Sequence, residues 1–239
     1  MENIRKQLLK TIKSRGYWQV NFKPLVDQHL GLPLCKDLTE RSSVKFRGWY
    51  YPHVPRERRE NTDLAPGDDY YEGWIDWSSE KEIWRMYQSG QFIHLKAMEE
   101  DWFKEDSWFS EGMKKIEPGA ILDVLWTVYR ITEIFEFAAR LARSGLYKDG
   151  MEISILLGNV SGRKLEIITD RMRAPLFGEY KTVAENIRFL KVYNWQELTE
   201  EAKEKAFEVI IHVFHRFGWE NPPTEVIKND QEKLITRRL

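Results

Sequence analysis

Residues 119–144, which follow Pro118, read as one helix that is apolar almost all the way round. Ile121, Leu125, Val128, Ile131, Phe135, Ala138 and Leu141 recur at helical spacing, and Trp126, Tyr129, Ile134 and Phe137 fill the flanks. A helix with so little polar circumference has to be covered on more than one side. Any fold for this chain must therefore be built around that segment, with Gly145 as its stop.

The remaining elements follow from periodicity and from turn residues. Residues 3–14 form an amphipathic helix with Ile4, Leu8, Leu9 and Ile12 on one stripe. The stretch 17–43 reads as irregular, with Pro24, Gly31 and Pro33 as breakers. A strand is expected at 44–51, ended by Pro52, and a mobile polar loop at 55–69. Strands at 72–77 and 81–98 follow, the second folded at Ser89-Gly90. That turn would pair Tyr87 with Phe92, Met86 with Ile93, Arg85 with His94 and Trp84 with Leu95. The acidic, aromatic segment 99–117 has no clear period. A second hairpin is expected from 151–158 with 164–169, and a strand at 186–194. A helix capped by Thr199 comes next, with Ala202, Ala206, Val209, Ile210, Val213, Phe214 and Phe217 on its buried stripe. The tail 219–239, with Pro222-Pro223, is expected to trail over the surface. This order predicts an α+β fold, with mainly antiparallel sheet in two strand blocks packed on the long central helix and a C-terminal helix. One domain over 1–239 is expected, with sub-modules 1–118 and 119–239 as the alternative division.

Composition bounds the functional classes. The chain has 239 residues, long enough for a core without disulfide staples, and its lone Cys35 can form no internal bridge. Basic and acidic residues number 37 and 38, which excludes a globally basic nucleic-acid coat. The charge is unevenly spread, however. Residues 1–60 hold 13 basic against 6 acidic side chains, and residues 61–120 hold 6 against 14. These blocks either pack together and cancel or form separate patches. No apolar run reaches the roughly 20 residues of a membrane span, and residues 1–12 lack the apolar core of a signal peptide. A cytoplasmic location with no membrane partner is the expectation.

Standard catalytic signatures are missing, and no cofactor or metal site is expected. His212 and His215 stand three apart but share the polar side of their helix with Lys205 and Glu208, which makes them surface histidines. Glu133 and Glu136 could form a carboxylate pair, but Arg130 and Arg140 lie at the spacing for ordinary helix-surface pairing. The candidate binding set is drawn from 47–53 and 85–94: Arg47, Trp49, Tyr51, His53, Arg85, Tyr87, Gln91, Phe92 and His94. Arginine and histidine among aromatic rings suit either an exposed binding surface or a core cluster whose polar groups satisfy one another.

The strings RGWYYPH, 47–53, and SGQFIH, 89–94, resemble segments of an uncharacterised prokaryotic family associated with mobile-element or defence gene neighbourhoods. The resemblance implies an accessory or sensor role and transfers no catalytic residue. The leading expectation is a non-enzymatic module that engages a protein partner through an aromatic- and arginine-rich sheet surface in 44–109, where six of the ten tryptophans lie. One alternative is nucleic-acid binding through Arg5, Lys6, Lys10 and Lys13 with Arg56, Arg58 and Arg59. Another is a hydrolase or nuclease built from Glu133, Glu136, His94 or His53. The oligomeric state is open.

Overall fold

The computed structural model describes residues 2–57, 59–105, 109, 111–170 and 172–238. The order is α1 (Glu2–Lys13), β1 (Tyr17–Pro24), α2 (Leu32–Ser42), β2 (Thr62–Pro66), β3 (Tyr70–Trp77), β4 (Glu80–Tyr87) and β5 (Phe92–Ala97). A 3-10 segment (Glu99–Glu105) and α3 (Glu111–Lys114) lead to β6 (Ile121–Asp123), α4 (Val124–Arg143) and β7 (Met151–Gly158). Then come β8 (Lys164–Glu166), β9 (Asn186–Tyr193), α5 (Trp195–Glu200), α6 (Ala202–Arg216) and α7 (Thr224–Ile235). The fold is α+β. One seven-stranded antiparallel sheet runs in the order β2-β3-β4-β5-β1-β7-β9, and β6 pairs with β8 in a separate parallel pair. β1 joins strands from both sides of residue 118, since it pairs with β5 and with β7.

The strand period of two gives the sheet distinct faces. Its inner face meets α4, where Phe137 touches Phe22, Phe92 and Tyr51. α6 and α7 cover the far side of α4, so sixteen of its residues are buried, as its apolar circumference requires. The outer face is covered by α1 over β3, β4 and β5, with Leu8 and Ile12 packed on Trp74, Ile83, Leu95 and Ala97. Between β3 and β4 the packing depends on a missing side chain. A Cβ at Gly73 would lie 2.5 Å from the Trp84 indole.

Several expectations are corrected. Residues 17–43 hold β1 and α2. β1 alternates cleanly in burial, and Pro33 sits in the first turn of α2, where its missing N–H costs nothing. Residues 44–51 are not a strand but a loop closed by a single Val44–Tyr51 bridge, with Gly48 at φ +84°. The polar stretch 55–69 contains β2. The β4–β5 hairpin is shifted by one residue from the expected register. Met86 opposes Phe92, Arg85 opposes Ile93, Trp84 opposes His94 and Glu82 opposes Lys96. Tyr87 and Gln91 close a three-residue turn with Gly90 left-handed at φ +84°, in place of a two-residue turn. β7 does not pair with β8; its partners are β1 and β9. Thr199 is not an N-cap, because its hydroxyl donates back to the Trp195 carbonyl within α5. Asn194 caps α5 instead, in a reciprocal box with Glu197. The tail is helical: Pro222-Pro223 starts α7, which buries Ile227 and Leu234.

Candidate functional site

The strings 47–53 and 89–94 meet on the inner face of β4 and β5. That face carries Glu82, Trp84 and Met86 on one strand and Phe92, His94 and Lys96 on the next, all buried. His94 lies between two partners. Its Nε2 is 2.6 Å from a Glu82 carboxylate oxygen, and its Nδ1 is 3.2 Å from the Tyr51 hydroxyl. Glu82 also accepts from the His53 backbone N–H at 3.2 Å, and the Trp84 indole donates to the His53 carbonyl at 2.7 Å. The 44–54 loop is thereby fastened to the sheet at Tyr51 and His53.

α4 fastens it at a third point. Arg47 donates to both oxygens of Glu133, at 2.9 and 2.7 Å. Arg130 lies 3.5 Å from Glu133 and donates to Glu99 at 2.5 Å, while Lys96 pairs with Glu80 and lies 3.3 Å from Glu99. The network thus joins Glu80, Glu99 and Glu133 to Arg47, Lys96 and Arg130, and a fourth carboxylate, Glu82, lies opposite Lys96 in the ladder and is bonded to His94. Burial opposes ionisation of Glu82, but Lys96 and His94 more than offset it and hold Glu82 at about 2. Burial, with Lys96 opposing it, leaves the Glu80 carboxyl raised. Burial likewise lowers His94 and His53 below the usual imidazole value, against the pull of Glu82. Next to Glu99, burial pushes Glu100 up to about 8.

Beside the network, an aromatic rim reaches solvent. His53 stacks on Trp49 with ring centres 4.4 Å apart, and Trp77 meets both rings edge-on. Tyr50, His53, Arg56, Arg59 and Trp77 line a cleft of about 260 Å³, with Glu57 at its edge. The His53 Nδ1 and Trp49 Nε1 atoms are buried there without a hydrogen-bond partner among the described residues.

The expected binding residues thus separate into several places. Tyr51, Phe92 and His94 are enclosed, at 1%, 0% and 1% exposure, and form no surface. Trp49 and His53 stand at the rim, whereas Arg47 is turned to α4, on Glu133 and the Tyr129 ring. Arg85, Tyr87 and Gln91 lie away from that rim, Arg85 on the outer face bound to Glu72 at 2.7 Å and Gln91 donating to Asn21 at 2.8 Å. No single sheet surface unites them. Of the six tryptophans in 44–109, Trp74, Trp84 and Trp102 are core, Trp49 and Trp77 are half-buried, and Trp108 lies outside the described residues.

The expected basic set is divided too. Arg5, Lys6, Lys10 and Lys13 are on α1 over the outer face, whereas Arg56 and Arg59 flank the inner cleft; Arg58 lies outside the described residues. Arg5 pairs with Glu72 at 2.5 Å, Arg15 with Glu105 at 2.7 Å and Arg59 with Glu57 at 3.0 Å. The first two pairs join the basic block to the acidic block that follows it. The carboxylate pair on α4 is divided as well: Glu133 is bound by Arg47 and Arg130, and Glu136 by Arg140 at 2.8 Å. His212 bonds the Arg188 carbonyl at 3.2 Å. Among the described residues no cluster of histidine, cysteine and carboxylate side chains could hold a metal ion, and no helix is long and apolar enough to cross a membrane.

Sequence reasoning missed Glu82, Lys96, Glu99, Tyr50 and Trp77; it paired Arg130 with Glu133, as observed, but on the helix surface, whereas both are buried. A signal for the first two existed. Once β4 and β5 are in register, Glu82 and Lys96 share a face with Trp84, Met86 and Phe92, and a charge on a core face requires a buried partner. Comparison of the chain with protein-family models, with curated proteins and with solved structures found no match.

Proposed function

We propose that this chain is a non-enzymatic binding module, and that it engages a protein partner at the rim cleft of Tyr50, His53, Arg56, Arg59 and Trp77. The supporting observation is the pairing of that cleft with the buried network behind it. Tryptophan, tyrosine and arginine dominate interface hot spots because they bring large contact area together with a polar handle. Such residues contribute most when they are held in place before the partner arrives, since less entropy is then lost on binding. Arg47, Tyr51 and His53 hold this loop at three points. The enclosed Glu82–His94–Tyr51 chain offers no reacting atom to a substrate, which favours binding over catalysis. The resemblance of RGWYYPH and SGQFIH would set such a partner among the products of mobile-element or defence gene neighbourhoods.

Affinity purification from the native host tests this reading, with the wild-type chain beside Trp77→Ala and Arg56→Glu. The expected result is a stoichiometric protein that survives nuclease treatment and about 0.5 M salt and disappears from both variants. Nuclease-sensitive material whose retention falls steeply with salt would overturn it in favour of nucleic acid. Equal recovery by wild type and variants would show that the cleft is not the contact.

A further inference from the structure

We infer that β9 is an open strand edge that pairs with the β9 strand of a second copy of this chain. Which backbone groups are free follows from the hydrogen bonding further in. The Leu25 N–H donates to the Gly150 carbonyl, and these residues stand directly opposite each other when the β1–β7 register is extended by one pair. In an antiparallel ladder such bonded pairs alternate with non-bonded ones. The even-numbered residues of β7 therefore turn their N–H and C=O groups to β1, and the odd-numbered ones turn theirs to β9. Ile153 opposes Lys191 and Ile155 opposes Phe189, so the odd-numbered residues of β9 complete that ladder. Asn186, Arg188, Leu190 and Val192 are left with their backbone groups aimed off the sheet. The Arg188 carbonyl points the same way: it accepts from His212 on α6 at 3.2 Å, an exposed contact that a pairing strand has to share or displace.

The side chains of those residues are open as well. Leu190 is 56% and Val192 49% exposed, on the part of the outer face that α1 does not cover. The opposite edge of the sheet is guarded differently. β2 has five residues, ends in Pro66, which has no N–H, and spends the Leu64 N–H on the Asp63 side chain. β9 has eight residues, no proline and an unbroken register with β7. A long, regular edge with exposed apolar side chains is a template for strand addition.

Charge narrows the register of self-pairing, and apolar contact selects among those left. Free groups must meet free groups, so a two-fold axis passes through one residue of each β9. An axis at Arg188 sets Arg188 against itself, and one at Lys191 does the same to Lys191; like charges directly opposed are unfavourable. An axis at Phe189 sets Arg188 against Leu190. An axis at Leu190 sets Leu190 against Leu190 and Arg188 against Val192, joining the exposed apolar side chains with no like-charged pair. The interface is then isologous and the sheet continues through it.

Cysteine cross-linking and sedimentation test this. Opposed residues of a hydrogen-bonded pair have Cα atoms about 5.5 Å apart, within disulfide reach. In Leu190→Cys, mild copper-phenanthroline oxidation should link most of the chain into covalent dimer. In Val192→Cys the two thiols belong to residues four positions apart along the strands, roughly 13 Å, and at least ten-fold less dimer should form. Cys35 is buried and stays out of the reaction. The wild type should sediment as a dimer at tens of micromolar, and Leu190→Glu as a monomer with an unchanged circular dichroism spectrum. A wild type that stays monomeric throughout, a dimer that Leu190→Glu leaves intact, or a cross-link in Val192→Cys exceeding that in Leu190→Cys would each overturn the inference. Monomer with the β9 amides protected only on adding a different protein would assign the edge to another chain.

Discussion

The inner face of the sheet follows two plans. Across β1, β7 and β9 its buried residues are apolar, Trp18, Val20, Phe22, Ile153, Ile155, Leu157 and Ile187 among them, with the one charge, Lys191, half-exposed at the edge strand and paired with Glu208. Across β4 and β5 the same face interleaves Glu82, His94 and Lys96 with Trp84, Met86 and Phe92. α4 serves both, turning Ile131, Ile134 and Phe135 to the core and Arg130 and Glu133 to the charge network. Apolar burial is non-directional and stabilises at about 25 cal/mol per Å² whichever neighbour supplies the contact. A buried ion network stabilises only with every partner in place, and a well-packed apolar replacement is often as stable. The charged half therefore adds positional definition more than stability, and the loop it positions is the one that carries the rim cleft.

The largest effect should come from removing one cation. Arg130→Met strands Glu99 and Glu133 with less compensation, and breaking a buried pair in this way costs about 3–5 kcal/mol. Urea denaturation measures it. A loss under about 1 kcal/mol would mean that the network relaxes like an exposed one, and the contrast between the halves would fail.

A pH dependence comes second. The folded-state pKa of Glu100 is raised to about 8 from an ordinary 4.5, so the stability linked to its proton is complete below pH 4.5 and is lost as pH rises towards 8. One group changes stability by at most about 1.4 kcal/mol per pH unit. Glu100→Gln removes that slope, so the variant should gain on the wild type between pH 5 and 7.5. His94 and His53 act with the opposite sign. Their folded pKa values lie below 6.5, so acid erodes stability from about pH 6.5 downwards. Comparing variant and wild type at each pH cancels that contribution. A flat difference would show that Glu100 is ionised in the fold.

The two halves also differed in how readily their sequence could be read. The apolar half relies on strict periods, which mark α6 and β9 to within a few residues and the body of α4, although Ile121–Asp123 at its expected start form β6; β1 has the same alternation, masked by Pro24 at its end, which reads as a breaker. The charged half depends on one turn. The hydrophobic pattern of 81–98 fits two registers, and Gly90 in the left-handed region selects the one that turns His94 and Phe92 inward beside Trp84. Pattern alone does not reveal that choice, because an aromatic pair sits on either face. Arg47 and Glu133 are 86 positions apart and meet only through tertiary packing, which no local period encodes.

Gly73→Ala sharpens the comparison within the charged half. A methyl placed 2.5 Å from the Trp84 indole forces that ring to shift, at about 1–3 kcal/mol for overpacking. Trp84 also holds the His53 carbonyl, so the rim should lose order with it, read as faster proteolysis near 53–57. In the apolar half, Ile155→Val should cost about 0.5–1.5 kcal/mol and leave the rim untouched. Proteolysis at 53–57 that rises equally in both variants would show that the halves are one cooperative unit at this resolution of change.

The smallest effect expected is also the most informative about where the surplus charge resides. Four carboxylates face three cations in the network, and Glu80, raised by burial and only partly enclosed, is the one whose charge is most easily spared. Glu80→Gln removes the surplus while keeping shape and one acceptor for Lys96, which retains Glu99 at 3.3 Å. The cost should be about 1 kcal/mol or less, near the net worth of one hydrogen bond. A loss as large as that of Arg130→Met would mean that the network needs the Glu80 charge and holds a balancing proton at another group, and His94 is the candidate, since its Nε2 already lies 2.6 Å from Glu82. In that case His94 would be cationic, and Tyr51 would have to accept from its Nδ1 instead of donating to it. The nitrogen-15 shifts of the His94 ring distinguish these two arrangements directly.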